Sequence, residues 1–196
     1  SKAGEKVATA KGVIGTFTTS GFEWSETSGI QALGFVSALD VEGVEKIYHG
    51  DKDGYIYNHD TGNSFHSGGN ATNILSTYET TDFDFGDVGT RKTLKYARVS
   101  FSPEGSIAPS FRVRYDYQDV AVPQPEPFAI TSITLPALFG TAIFNSSKFG
   151  ATKDPMVRIT LEGSGHTCSF RVTSDDQLAA YAVNGIYIDY MPAGRR

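Results

Sequence analysis

The sequence has too few cysteines for an internal disulfide and no apolar run long enough to span a membrane. Its 196 residues include a single cysteine, Cys168, so no internal disulfide can form and the fold does not depend on an oxidising compartment. No apolar run approaches the ~20 residues of a membrane-spanning helix. The 17 basic residues are outnumbered by 22 acidic ones, and the formal net charge of −5 argues against nucleic-acid binding through the overall electrostatic field. We therefore expect no membrane span and no general affinity for nucleic acid.

Motifs that carry chemistry are also missing. The chain contains no Walker A loop, no G-x-G-x-x-G after a strand, no G-x-S-x-G elbow and no H-E-x-x-H. We predict that the protein is not an enzyme and has no catalytic, cofactor-binding or metal-ligating residues. The enzyme alternative is a glycosidase fragment of a propeller fold, but the sequence offers no recognisable pair of acid and nucleophile.

The residues that are abundant favour strands. Counts of 21 Gly, 13 Phe and 10 Tyr are typical of turns and aromatic strands. A chain of this length forms one large domain or two small ones. We predict an all-β fold in two parts: a propeller-blade-like hairpin region over residues 1–66, followed by an antiparallel β-sandwich, jelly-roll-like, over residues 74–196.

The first part is predicted from residues 46–62. Two aromatic runs, Ile47–Tyr48 and Tyr55–Tyr57, flank the turn signal Asp53–Gly54, which favours a hairpin because Asp and Gly tolerate positive φ. A second turn follows at 59–62. Strands and turns in this succession are typical of one propeller blade, but a single hairpin is marginal in water. The segment is therefore either the last blade of a longer protein or a hairpin that leans on the sheet after it.

Residues upstream of this hairpin are less regular. Residues 22–39 have partial helical spacing, but Gly29 and Gly34 each cost about 1 kcal/mol against Ala in a helix, so we prefer a strand. The chain begins without Met or an apolar signal region, and we expect a processed or excised fragment. The strands predicted in this part cover residues 13–18, 31–39, 44–48 and 55–58.

The second part is predicted from alternation of apolar and polar side chains, which places one strand face on a core. Leu94 and Tyr96 are predicted to share one face, and Ala97 and Val99 the other. This slip of one residue near Tyr96 and Ala97 predicts a β-bulge. The polar residues 64–73 are predicted to be a linker. The other alternating segments are 111–117, 157–161, 168–172 and 186–190.

Two segments are predicted to form contacts. Residues 135–151 are apolar with neither helical nor strand period, so the domain itself or a neighbouring subunit must cover them, and we favour a subunit. In residues 82–95, aspartates alternate with Phe83 and Phe85, and basic residues follow. We expect the phenylalanines to face inward, the acids outward, and the bases to pair with the acids within the chain or across an interface. The charged residues concerned are Asp82, Asp84, Asp87, Arg91, Lys92 and Lys95.

Several side chains have both a chemical and a structural interpretation. Asp51 and Asp53 fail the spacing of a calcium-binding EF-hand loop, so a turn is favoured. His49 and His59 flank the hairpin, but no pair among the four histidines, which include His66 and His166, has zinc-binding spacing. Cys168 is predicted to be a core residue. Tyrosines could stack on sugar rings, although cross-strand pairs that hold a hairpin are the commoner cause. These are Tyr48, Tyr55, Tyr57 and Tyr187.

Three segments are similar to the propeller-bearing tail proteins of short-tailed phages, the nozzle or hub proteins that resemble tail tubular protein B. Tyr48–Gly62 resembles their closing blade, Tyr78–Lys92 the passage into the next sheet, and Gly185–Arg196 the final strand and tail. Such proteins carry a whole propeller, and this chain has at most one blade. The chain would therefore be a C-terminal piece or a reduced version.

This resemblance implies a structural component of a bacteriophage virion. It would act by assembling a homo-oligomeric ring around the DNA channel, in contact with other tail proteins, with genomic DNA passing through and no cofactor. An acidic protein suits a conduit, because a basic lumen would hold the genome by its phosphates. The alternative is a carbohydrate- or receptor-binding β-sandwich module of a tail or surface protein, which would use the tyrosines.

Overall fold

The structure, a computed structural model, describes residues 11–19, 21–59, 61–67, 70–131 and 155–195. Regular structure in these ranges is β-strand, apart from one three-residue helical turn at Asp116–Gln118. The predicted all-β fold is confirmed. Contacts within the chain define two compact units, residues 1–62 with 66–70 and residues 63–65 with 71–196. The predicted contact loop, 135–151, lies outside the described residues.

The first unit contains a ribbon of two strands and a sheet of three. In the ribbon, β1 (Lys11–Thr18) pairs antiparallel with β2 (Gly21–Ser28) along its whole length. The sheet is antiparallel and consists of β3 (Gly34–Leu39), β4 (Glu45–Gly50) and β5 (Ile56–Asn58), in that order. A propeller blade has four strands, whereas this sheet has three among the described residues, so the blade remains a prediction.

The predicted linker contains a short hairpin of its own. β6 (Phe65–Ser67) is followed by β7 (Asn70–Thr72), with which it forms a two-stranded sheet. The Thr72 hydroxyl donates a hydrogen bond of 3.0 Å to the carbonyl of Phe65. Polar composition alone therefore did not reveal that these residues pair.

The second unit contains two antiparallel sheets. In the first sheet the order is β11-β10-β14-β8, and in the second the long β9 pairs with β12, β13 and β15. The strands of the first sheet are β8 (Ile74–Glu79), β10 (Ser110–Tyr115), β11 (Phe128–Ala129) and β14 (Cys168–Asp176). Those of the second are β9 (Thr90–Pro103), β12 (Met156–Thr160), β13 (Ser164–Gly165) and β15 (Tyr181–Arg195).

Buried side chains of both sheets belong to one hydrophobic core. β9, β10 and β14 each contribute alternate residues, as their sequence pattern predicts, because successive side chains of a strand point to opposite faces. The jelly-roll connectivity remains a prediction. The core residues on these three strands are Leu94, Ala97, Val99, Phe101, Phe111, Val113, Tyr115, Cys168, Phe170 and Val172.

The predicted β-bulge is present in β9, one residue from the predicted place. Consecutive residues of β15 pair with Tyr96 and Leu94, so Lys95 is the extra residue. Leu94 is buried, as is Ala97, while Tyr96 lies on the opposite face with the guanidinium of Arg158 3.9 Å from its ring centroid. The prediction that Leu94 and Tyr96 share a face is therefore wrong, because the slip occurs between them.

Phe101→Ala should lower the free energy of unfolding of the second unit by about 3–5 kcal/mol, since a fully buried ring leaves a cavity. Urea unfolding followed by near-UV circular dichroism, to which buried Tyr115 contributes, measures this. The matched control is Phe17→Ala on the ribbon, where the ring is 87% exposed and the same change should alter this transition by less than about 0.5 kcal/mol. Equal losses in the two variants would contradict the assigned core.

Candidate functional site

Two histidines of the predicted hairpin meet on one face of the three-stranded sheet. His49 Nδ1 lies 2.6 Å from His59 Nε2, a hydrogen bond between two imidazole rings. The register brings them together, because His49 is paired with Tyr57 and the backbone N–H of His59 donates to the carbonyl of Ile47. The His49 ring stacks on Tyr57 at 5.0 Å, and Phe35 lies 5.6 Å from one imidazole and 5.7 Å from the other. We term His49, His59, Tyr57 and Phe35 the histidine cluster.

The histidine cluster disfavours positive charge. His49 is only 5% exposed, and it is the sole buried residue among those described in the first unit. Burial lowers the pKa of His49, the neighbouring His59 lowers it further, and the carboxylate of Asp51 opposes both effects. A hydrogen bond between imidazoles needs one N–H and one bare nitrogen, so at least one of the two rings is neutral.

Asp51 holds the turn between β4 and β5. Its Oδ1 accepts the backbone N–H groups of Asp53 and Tyr55 at 2.9 and 3.0 Å, and its Oδ2 accepts the hydroxyl of Tyr57 at 3.2 Å. Asp53 instead accepts a hydrogen bond of 2.9 Å from Lys52. These contacts agree with the turn that the sequence favoured over a calcium loop.

The acids of residues 82–87 stabilise turns. Asp84 Oδ1 accepts the N–H of Gly86 at 2.9 Å, and Asp87 accepts the N–H of Gly89 at 2.9 Å and the hydroxyl of Thr90 at 2.7 Å. These short side chains bind the backbone two residues on and turn the chain, which interrupts the predicted alternation. Phe85 packs against the core of the second unit, as expected, whereas Phe83 remains exposed, although it was also expected to face inward.

Two of the bases that follow bind backbone and hydroxyl groups. Arg91 donates from Nε to the Ser164 hydroxyl at 2.8 Å and from Nη2 to its carbonyl at 3.0 Å. Lys92 is buried, and its ammonium donates to the carbonyls of Asp87 and His166. Arg91 therefore joins β9 to β13, and Lys92 joins the turn before β9 to the residue that follows β13.

Cys168 is a core residue, as predicted. It is buried on β14, and burial raises its pKa to about 12, with smaller contributions from the nearby carboxylates of Asp82 and Asp116. A thiol with this pKa is protonated at neutral pH, and the thiolate is the nucleophilic form. The environment therefore does not activate this sulfur.

A cleft of about 550 Å³ opens in the second unit. Asp116 Oδ1 accepts the backbone N–H groups of His166 and Thr167 at 2.6 and 3.0 Å, and Asp119 Oδ1 accepts that of Ala121 at 2.9 Å. These side chains thus hold the surrounding loops. The lining residues are Arg91, Asp116, Asp119, Ala121, Val122, Pro123 and His166.

The backbone beside this cleft is strained. Asp116, Tyr117 and Gln118 have φ angles of 49°, 55° and 62°, three successive non-glycine residues in the left-handed region. Gln124 supports the segment: its Oε1 accepts the N–H of Tyr115 at 2.9 Å and its Nε2 donates to the Tyr115 carbonyl at 3.0 Å. The alternation predicted through Tyr117 therefore ends at Tyr115.

Three strands of the first sheet in the second unit are joined by one ionic cluster. Glu79 on β8 accepts hydrogen bonds from Arg114 on β10 at 2.6 Å and from Arg171 on β14 at 2.5 Å. Partial burial raises the pKa of Glu79, but the hydrogen bonds and charges of Arg171 and Arg114 outweigh it and hold the pKa below its ordinary value of 4.5.

Most of the large apolar side chains of the ribbon lie on one face. Residues paired directly across an antiparallel ribbon share a face, so Val13, Phe17, Phe22 and Trp24 lie together. Phe22 packs edge-on against Phe17 at 4.7 Å and against Trp24 at 4.5 Å. All four side chains are nonetheless exposed, Trp24 by 69%. We term them the ribbon face.

The three-stranded sheet exposes apolar side chains on both faces. By register, Phe35 and Ile47 lie on the face of the histidine cluster, which we term the histidine face. Val36 and Ile56 lie on the opposite face, which we term the reverse face, and all four are exposed. A sheet at the surface of a domain usually has one apolar face and one polar face.

Among the described residues no three His, Cys, Asp or Glu side chains are grouped to hold a metal ion, and no helix has the length and apolar character to cross a membrane. The scan against family profiles finds no family that matches the chain, and the search of curated sequences finds no significant match. Function is therefore argued from the residues and their geometry.

Tyr117→Gly should raise the free energy of unfolding by about 0.5–1 kcal/mol, because glycine adopts positive φ without the steric cost of a side chain. Chemical denaturation of the full chain measures this. Tyr187→Gly is the control, since Tyr187 is an exposed residue inside β15 and glycine there should destabilise the strand. A loss of stability in Tyr117→Gly would show that the left-handed segment is not strained.

Glu79→Gln should destabilise the second unit at pH 7 by on the order of 1 kcal/mol, since it removes the charge that two arginines share. The native pKa of Glu79 is depressed, so its stabilising effect is present above about 4.5 and is lost as pH falls through the native value. The difference from wild type should therefore shrink below pH 4.5 in urea titrations at several pH values. A difference that is constant with pH would contradict this ion pairing.

Proposed function

We propose that the protein is a structural component of a phage tail, which acts by assembling into a ring around the DNA channel. The similarity of three segments to tail nozzle and hub proteins supports the assignment to a phage tail. The exposed apolar surfaces of the first unit support the proposal that copies of the chain assemble with one another. The observation that carries most weight is the sheet that exposes apolar side chains on both faces.

A sheet that exposes apolar side chains on both faces fits between two neighbours. A two-fold dimer uses the same patch on both copies and would cover only one of these faces. If the histidine face of one copy meets the reverse face of the next, the contact is heterologous, and repetition of it about a rotation axis closes a ring. Each copy then has both faces covered without any further protein.

The ribbon adds a second surface of the same kind. An isolated pair of strands is marginally stable in water, and the ribbon face contains exposed aromatic rings. Monomeric proteins rarely leave large contiguous apolar patches open. Insertion of the ribbon face against an adjacent copy would bury these rings and fix the ribbon.

The second unit suits a supporting role. Its two sheets share a core of their own, which buries Phe101, Phe111 and Val172 within the unit. The net charge of −5 is compatible with a channel through which DNA passes without being held.

The alternative, a carbohydrate- or receptor-binding module, is favoured less. Two of the four tyrosines predicted for stacking on sugars, Tyr48 and Tyr57, are half-buried. Tyr57 also stacks on His49 and donates its hydroxyl to Asp51, so its ring is engaged inside the sheet. Tyr55 and Tyr187 are exposed, and loss of glycan-array binding in Tyr55→Ala would favour this function.

Light scattering over a range of concentrations tests the assembly. The chain should form a closed oligomer of fixed mass at high concentration, with ring-shaped particles in electron micrographs. Ile47→Asp on the histidine face and Ile56→Asp on the reverse face should each abolish it, because a heterologous contact uses both faces. A chain that stays monomeric at high concentration would refute the proposal.

A mixture of the two variants gives a sharper result. The intact reverse face of Ile47→Asp can meet the intact histidine face of Ile56→Asp, so an equimolar mixture should form dimers and nothing larger. Val120→Asp is the control, since it places the same charge on a fully exposed residue of the second unit and should assemble like wild type. If either variant alone still forms rings, the contact does not use that face.

A further inference from the structure

We propose that the histidine cluster is a proton-operated latch that fastens β5 to β4. The strand it fastens is short: β5 has three residues and pairs with β4 through Tyr48, His49 and Gly50 alone. One end of β5 is held by the Asp51 turn. The other end is held where His59 returns to β4, by its backbone bond to Ile47 and its ring bond to His49.

The hydrogen bond between the two imidazole rings tolerates one added proton and no more. In the neutral pair, one imidazole donates N–H to the bare nitrogen of the other. A first proton makes the donor ring cationic and keeps this bond. A second proton places two N–H groups and two positive charges face to face across 2.6 Å, with no acceptor between them. The second protonation therefore breaks the latch.

The surroundings do little to offset a second charge. β3 contributes the uncharged ring of Phe35, and β5 contributes Tyr57, which is neutral near neutral pH. Asp51, in the turn, is the carboxylate that raises the pKa of His49, and burial and His59 outweigh it. On the same face β4 also has Glu45 at its first position, an exposed residue. Asp60, next to His59 in the chain, lies outside the described residues.

The direction of the pH effect follows from this lowered pKa. Above about pH 6.5 His49 is neutral in the native and the unfolded chain, and the latch contributes fully to stability. As pH falls below 6.5, the unfolded chain binds protons that the native cluster resists. The stability of the sheet therefore declines between 6.5 and the lower native value.

A titration of the full chain followed by NMR of the imidazole nitrogens tests the latch, with a chelator present so that protons alone compete for the rings. His49 should take up its proton below pH 6.5, because burial and the neighbouring imidazole both oppose its positive charge. The backbone N–H at position 59, corrected for intrinsic exchange, should lose protection between pH 7.5 and 5, by about tenfold for each pKa unit that separates His49 in the native chain from its ordinary value. Independent titration of both rings near 6.5 would overturn the proposal.

His59→Gln provides the matched variant. Glutamine can still hydrogen-bond to His49 but takes up no proton, so the second positive charge cannot form and the amide at position 59 should lose less protection than in wild type over this range; the part that remains comes from the burial of His49. His166→Gln removes an imidazole from the second unit and should keep the wild-type pH dependence. Unchanged pH dependence in His59→Gln would overturn the latch. If that variant fails to fold, the wild-type imidazole titration decides by itself.

Discussion

The burial of apolar side chains is the constraint that governs this structure, and the two units meet it differently. In the second unit, two sheets supply alternate residues to one core, and Phe101, Phe111 and Val172 are almost wholly removed from water. In the first unit, the described residues bury only His49, while Phe17, Phe35 and Ile56 remain exposed. Since apolar burial is the dominant favourable contribution to folding, the first unit has much to gain from a neighbour. The proposal of assembly rests on this difference.

Alternation made the second unit predictable from sequence. β10 and β14 each place every second side chain inward, and period-2 patterning reports that directly. The bulge in β9 could be predicted for the same reason, because one extra residue reverses the phase of the pattern. Its position was wrong by one residue, since Tyr96 is aromatic and reads as a core side chain, although Arg158 stacks on its outer face.

Features that depend on register or on backbone conformation were not predictable. The contact between His49 and His59 arises because the Asp51 turn fixes the pairing of β4 with β5, and spacing in the sequence does not report this. β2 was read as ambiguous, because Trp24 and the apolar residues after it are spaced partly as in a helix. The left-handed segment at Tyr117 had no sequence signal, since tyrosine and glutamine rarely adopt positive φ and the hydrogen bonds of Gln124 impose it from elsewhere.

The two proposals concern the same surface and make it a coupled system. The histidine face carries both the latch and Ile47, which the proposed ring contact would bury against the reverse face of the next copy. Covering His49 further would remove water from its charged form and lower its pKa again. By linkage, a contact that favours the neutral pair is itself weakened by protonation, so acid would act against the sheet and against its neighbours together. If the proposed contact forms, this histidine pair would connect the stability of a three-stranded sheet to the integrity of the proposed ring.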